Sequence, residues 1–301
     1  MNPYLAIIIA NVIMGMTAPI MKMGLTEIPP AILGFIRFGT ASLLMAPFVL
    51  KNWKPIGKKD LLILITCGVF GIGLGILLFL HGLQLTKSIF SPVIASSGPV
   101  ILYIVALIYL KEKFIIKKFG GMMVAFAGVL VIVLAPLMLN GTEVHHKEAA
   151  GNALIFGGTI LGVLHAFLLK KISKEVNLSQ VVFIVTLSGA LTFMLFTFQE
   201  MAAWSYSDVT IRGLSALFFG TFFVSILAYT LIHYALMKIS APDVGIFTYI
   251  DPIAALVIAW PLLGEKPDIF YAAGSILVFG GIYIAEGRLH WHPFHKLKTI
   301  N

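Results

Sequence analysis

The run LLILITCGVFGIGLGILLFL at 61–80 is twenty residues long and carries no charge. It constrains the fold more than any other feature of the chain. Spanning the hydrocarbon core of a bilayer takes an α-helix of about 20 mostly apolar residues. Ten segments of this kind can be read along the sequence: 3–21, 31–50, 61–85, 89–110, 117–139, 151–169, 179–198, 212–237, 242–263 and 268–287. Their apolar residues run continuously. Barrel strands would instead alternate polar and apolar over about ten residues. The first segment has no positive charge ahead of it and no clear small-x-small cleavage site, so it is expected as a helix of the mature chain. The longest connections, 51–60, 140–150 and 199–211, are too short to hold a soluble domain. The expectation is an all-α polytopic membrane protein whose function sits in its helices or their ends.

Composition agrees, with 59% apolar and 11% charged residues. Soluble domains carry about 25% charged residues. Cys67 is the only cysteine, which excludes a disulfide scaffold. The net charge of +8 is explained by where the cations fall. With the N-terminus cytoplasmic, the connections on that side hold fifteen of the 21 lysines and arginines, and the outer connections hold five. Arg37 is the one left over, inside a helix. This is the positive-inside pattern, and it implies ten crossings with both termini cytoplasmic. Glu27, Glu143, Glu148, Glu200, Asp208, Glu265 and Asp268 all fall on the outer side. The cytoplasmic excess favours anionic lipid headgroups as a partner rather than nucleic acid.

The chain also repeats itself. Residues 99–134 align with 252–287 without gaps, pairing Pro99 with Pro252, Glu112 with Glu265, Lys113 with Lys266, Gly121 with Gly274 and Gly128 with Gly281. One residue out of that register, His81 pairs with His233. The expected units are a first repeat at 1–139, a second at 150–287 and a basic tail at 288–301. Five crossings per repeat force the second copy upside down. Inverted repeats recur in secondary transporters, which bind substrate near the midplane.

These residues resemble a family. The duplicated P-x(12)-E-K blocks with their following glycines, the Asp251-Pro252 step and Arg37 within FIRFGTASLL are similar to the drug/metabolite transporter superfamily, specifically its ten-helix EamA-type members. The likeness covers nearly the whole chain. It implies export of a small metabolite, in a family whose substrates include amino acids, nucleotide-related compounds and sugars. The second repeat departs from the pattern, because 183–196 has no arginine matching Arg37.

Charged groups at membrane depth cost about 3 kcal/mol on insertion scales, so they mark candidate sites. Arg37 could hold a carboxylate, or serve structurally by binding backbone carbonyls. Asp251 could bind an amine or a proton, or bond to a neighbouring helix. His81, His165 and His233 could each carry a proton. Asp251, His81 and His233 are the proton-coupling candidates, although the place of His81 and His233 near helix ends also suits capping. The substrate-site candidates are Arg37, Asp251, Asn11, Ser96, Tyr249, His165, Tyr103 and Trp260, with Thr17, Ser97 and Thr248 as further polar lining. Pro92, Pro99, Pro242 and Pro252 are candidate helix breaks, in the matching segments SPVIASSGP and APDVGIFTYIDP. Paired interrupted helices point to a binding site.

Other patterns carry less. GIGLG at 71–75 follows no strand and is no phosphate loop; Gly71 and Gly75 suit close helix packing. His145-His146 and the tail histidines 290, 292 and 295 do not make a four-ligand metal set. Trp53, Trp204 and Trp291 sit near segment ends, as interfacial anchors do. No cofactor, metal or enzymatic activity is expected. The leading reading is a secondary transporter of an amino acid or related zwitterion, working by alternating access. The alternatives are a channel-like or flippase-like conduit and an integral-membrane enzyme acting on lipid-linked substrates. Monomer and homodimer stay equally open.

Overall fold

The computed structural model describes the chain apart from residues 99–100, 102–104, 106–114, 139–142, 170, 174–175, 240–246, 249 and 287–301. Among the described residues there are ten helical rods and no strand. They are α1 (Pro3–Gly24), α2 (Pro30–Lys51), α3 (Lys58–Leu85), α4 (Phe90–Ala95), α5 (Ile116–Met138), α6 (Glu143–Leu169), α7 (Leu178–Met201), α8 (Ile211–Phe218 continuing to Lys238), α9 (Ile250–Leu263) and α10 (Ile269–Glu286). α1, α2, α3, α6, α7 and α8 contain stretches long and apolar enough to cross a membrane. α5, α9 and α10 hold shorter apolar stretches, and α4 covers Phe90–Ala95.

The ten rods follow the ten sequence segments, with one clear difference. α6 begins at Glu143 rather than 151, so most of the expected 140–150 connection is helical. Glu143 lies in the first turn and pairs with Lys147 one turn later at 2.7 Å, the favourable orientation for an i,i+4 pair.

α2 and α7 pack antiparallel: Phe38 stacks on Phe193 at 5.8 Å, and further along Ser42 Oγ donates to Thr186 Oγ1 at 3.1 Å. α5 and α10 do the same. Gly121 lies against Gly281, and Gly128 against Gly274. Equivalent helices of the two copies therefore meet head to tail, as inversion requires. Two irregularities also repeat at the spacing that relates His81 to His233. α3 is π-helical over Cys67–Leu74 and α8 over Phe219–Ala228. α4 gives way to a turn at Ser96 and Ser97, and Thr248 forms a turn just before α9. π-helical turns are rare and concentrate at functional sites.

The sequence repeats are not separate packing units. One core cluster is built from α1, α2, α3, α7 and α8, with Phe38, Leu64, Leu80 and Phe193 fully buried. Another joins α4, α5, α6, α9 and α10 around Val93, Val129, Ile155 and Val278. α1 packs on both α8 and α9, and α6 packs on both α3 and α4. These two equivalent helices bridge the clusters. Gly71 and Gly75 do serve close packing, against His165 and against Leu161 and Gly158 of α6.

The two ends of the bundle differ chemically. α2, α4 and α8 begin at the end that carries Glu27, Glu200 and Glu265, and these acids cap them. Glu200 accepts from the Ala31 and Ile32 N–H groups at the start of α2. Glu27 accepts from Thr210 and Gly213 at the start of α8. Glu265 accepts from the Ser88 and Ile89 N–H groups before α4. A helix N-terminus has unpaired N–H groups and a partial positive charge, so carboxylates collect there. Hydrogen bonds to Thr210 hold Glu27 below the ordinary carboxylate range.

Candidate translocation site

Arg37 is buried in α2 and reaches across to the π-helical part of α8. Its Nε donates to the Gly220 carbonyl at 3.0 Å and to Ser225 Oγ at 2.8 Å, and its guanidinium lies 4.5 Å from the centre of the Phe38 ring. The described partners of Arg37 are thus helix backbone, a hydroxyl, the Met21 sulfur and an aromatic face, with no carboxylate among them. Ser225, Tyr229 and His233 follow each other at four-residue steps and share one face of α8. Tyr229 is in electrostatic reach of Arg37. Its ring lies 6.1 Å from that of His233. His233 stacks at 6.2 Å on His165 of α6. His165 Nδ1 bonds to the Cys67 carbonyl, at the first residue of the π-helical part of α3. A polar column therefore runs from α2 along α8 to α6 and α3, touching both π-helical stretches.

Asp251 stands on a second wall, in the first turn of α9 beside the Thr248 turn. A Cβ placed on Gly15 of α1 would come within 2.5 Å of the Asp251 carbonyl oxygen, so α1 and α9 touch there. Oδ1 of Asp251 is shut off from solvent with no hydrogen-bond partner among the described residues, and so is Nδ1 of His233. Asn11 is buried one turn away on α1, and its Nδ2 donates to the Ile7 carbonyl. Pro252 occupies the third position of α9, where a missing N–H costs nothing.

The other candidates separate. Trp260 is 64% exposed, on an outward stripe of α9 with Ile253 and Val257, so it faces away from the interior. That corrects its place among the interior aromatics. Ser96 is buried and its hydroxyl is bonded to Pro92, while Ser97 bonds to Ile94. Pro92 lies buried within α4. His81 is half-exposed at the acidic end, with Nε2 3.7 Å from Glu200 Oε1, whereas its repeat mate His233 is buried in the bundle. The two histidines that the sequence pairs thus stand in different surroundings. Tyr103, Tyr249, Pro99 and Pro242 lie outside the described residues. Among the described residues no cluster could hold a metal ion.

Sequence reasoning passed over Ser225, Tyr229 and Cys67. The four-residue spacing of Ser225, Tyr229 and His233 on an apolar helix was a visible signal. It also gave Glu265 only as a motif residue and an outer-side acid, not as a cap. The structure gives Glu265 a job: Gly264 turns the chain at φ 67°, its N–H closing back on the Trp260 carbonyl, and this brings Glu265 to the start of α4.

Known proteins agree with this architecture. The transporter-like protein named uncharacterized transporter YetK of Bacillus subtilis (strain 168) is 28% identical, covering 100% of this chain and 92% of its own. WAT1-related protein At5g13670 of Arabidopsis thaliana is 24% identical over 94% of this chain and 83% of its own. A solved crystal structure matches with a TM-score of 0.60 over 93% of this chain and 95% of that one; at 15% identity it speaks for the fold. The model of the EamA-like transporter family matches twice, at residues 1–134 and 149–286, and the chain belongs to that family.

Proposed function

We propose that this membrane transporter carries a small zwitterionic metabolite of the amino-acid class outward across the cytoplasmic membrane. Its basic end and both termini face the cytoplasm. The observation that carries the reading is Asp251 Oδ1, shut off from solvent with no partner among the described residues. An unpaired acceptor at membrane depth is costly, and a substrate ammonium or a proton would satisfy it. Arg37 supplies the complementary charge on the α2–α8 wall, in a position to attract a carboxylate. Movement is of the alternating-access kind. The clusters centred on α2, α3, α7, α8 and on α4, α5, α9, α10 shift against each other, with α1 and α6 as the joints.

The test is counterflow in proteoliposomes loaded with a radiolabelled mixture of the twenty amino acids. Wild-type exchange is expected to saturate. Asp251→Asn is expected to slow it about tenfold or more, the equivalent of one lost charged contact. An Asp251→Asn protein with wild-type rate and pH dependence would remove Asp251 from the mechanism.

A further inference from the structure

We propose that the Lys22–Glu265 ion pair is a gate that closes the acidic end of the groove between α1 and α9, with Asp251 deeper in the same groove; the gate rests on the transporter reading above. At this end of the bundle Glu200 joins α7 to α2, and Glu27 joins the end of α1 to α8. Each of these contacts holds members of one core cluster together. The Lys22–Glu265 pair runs from one cluster to the other. Lys22 is in the last turn of α1, next to Met21 of the first cluster. Glu265 follows α9 and leads into α10, both in the second. Nζ and Oε1 are 2.9 Å apart. Each half of the pair is held by its own side. Lys22 Nζ also donates to the Thr86 carbonyl just after α3. Glu265 accepts from the Ser88 and Ile89 N–H groups and the Ser88 hydroxyl before α4. Beside it Lys87 Nζ meets Asp268 Oδ2 at 3.0 Å, and Asp268 Oδ1 accepts from the Tyr271 N–H at the start of α10. The pair therefore acts as a bolt whose two ends keep their holders when it is drawn.

α1 and α9 meet twice. At depth the contact is backbone to backbone: a Cβ on Gly15 would lie 2.5 Å from the Asp251 carbonyl oxygen and 2.7 Å from the Ala254 Cβ. Lys22 is seven residues further, about 10 Å along α1 at the rise of a regular helix. There the contact is made by two long side chains instead. The deep contact leaves no room for adjustment, whereas the ion pair can open. The Lys22 side chain is 25% exposed and that of Glu265 9%. A cleft of about 220 Å³, lined by Lys22, Thr86, Lys87 and the exposed Lys147 among others, lies against the pair. Water is therefore at hand to solvate both charges as they part. Breaking a half-wet pair costs far less than breaking a fully buried one. Once it is broken, the end of α1 is free to lever about the Gly15 contact. That movement uncovers Ala254 and Asp251 from the acidic end.

The gate is tested with Ala254→Cys, which puts a small thiol opposite Gly15 and leaves Asp251 in place. The full chain in lipid nanodiscs is treated with a charged methanethiosulfonate, and labelling of each cysteine is followed by mass spectrometry. Cys67 is buried in the same chain and reports any general loosening. Adding Lys22→Met, which keeps the length and removes the charge, is expected to speed labelling at position 254 about tenfold or more, with Cys67 unchanged. Lys22→Arg keeps the pair and is expected to label as slowly as the parent. Labelling at 254 that ignores Lys22→Met, or that rises together with Cys67, would overturn the gate. Should Lys22→Met not fold, the parent gives the answer by itself. Carbodiimide joins an amine and a carboxylate in contact as an amide. Coupling of Lys22 to Glu265, read from the linked peptides, is expected to cut labelling at 254 by about tenfold or more. Coupled protein that labels at the parent rate overturns the gate as well. Labelling uses no solute, so the two readings fail separately. Faster labelling with no exchange of the amino-acid mixture upholds the gate and sinks the substrate class, and unchanged labelling with saturable exchange does the reverse.

Discussion

Gly128→Leu is expected to prevent α5 and α10 from closing on each other, lowering the melting temperature in detergent by about 10 °C and sharply cutting the monodisperse yield. A Cβ at Gly128 would lie 2.6 Å from the Gly274 carbonyl oxygen and 2.7 Å from the Val278 nitrogen. Both are backbone atoms within a helix, so they cannot swing aside as a flexible side chain would. Helices in lipid associate through close van der Waals contact of small residues, since the surrounding chains are as apolar as leucine. Separating the backbones forfeits that contact along the whole crossing. Overpacking costs about 1–3 kcal/mol, and a rigid backbone neighbour sets this case at the upper end. At roughly 2–4 °C per kcal/mol for a chain of this class, the shift follows. Gly120→Ala is the control. Gly120 is one turn into the same helix with nothing within 4 Å of its would-be Cβ. It should be neutral or gain up to about 1 kcal/mol, because alanine is the better helix former. If Gly128→Leu melts with wild type, the crossing does not hold α5 to α10.

The same glycines show how much of the fold was legible. Gly121/Gly274 and Gly128/Gly281 emerge from the sequence as matched positions of a repeat. The structure pairs them crosswise, Gly121 with Gly281 and Gly128 with Gly274, because the second copy is inverted. The inversion itself was readable from the sidedness of the lysines. The site was readable only in part. His165 and His233 each stood out as polar residues in apolar helices, but a membrane helix is apolar all round, so hydropathy does not tell which face turns inward. Their stacking depends on the rotation of α6 and α8, which packing decides. The same ambiguity put Trp260 among the interior residues when it faces outward. Acidic residues at one end were visible as a count, but their role as caps needs to know which helix starts beside which acid. Glu200 caps a helix that begins some 170 residues earlier in the chain, a pairing that no local pattern announces.

Glu265→Ala is expected to cost about 2 kcal/mol of stability at neutral pH and to loosen the attachment of α4. The Glu265 carboxylate accepts from Ser88 N–H at 3.0 Å, Ser88 Oγ at 2.7 Å and Ile89 N–H at 3.2 Å, and pairs with Lys22 Nζ at 2.9 Å. Loss of a helix N-cap alone costs about 1 kcal/mol. The rest comes from the partly buried Lys22, which would keep only its bond to the Thr86 carbonyl. Burial pushes the Glu265 carboxyl up, but the Ser88 hydrogen bonds and the Lys22 charge outweigh it and hold the group below the usual carboxylate range. The sign of the pH dependence follows from that depression. Unfolding returns the carboxyl to about 4.3, so its stabilisation is complete above that pH and fades as pH falls through the lower folded value. Wild type should therefore lose stability below about pH 4, and Glu265→Gln should be flatter over the same range because it has no proton to gain. Thermal unfolding at pH 7 and at several points down to about pH 3 reads both effects. Glu27 is depressed in the same sense by Thr210, so Glu265→Gln keeps some acid sensitivity and the pair Glu27→Gln with Glu265→Gln keeps less. A Glu265→Ala protein as stable as wild type at pH 7 would show that the cap and the ion pair add nothing. An unchanged acid limb in Glu265→Gln would place that limb on other groups.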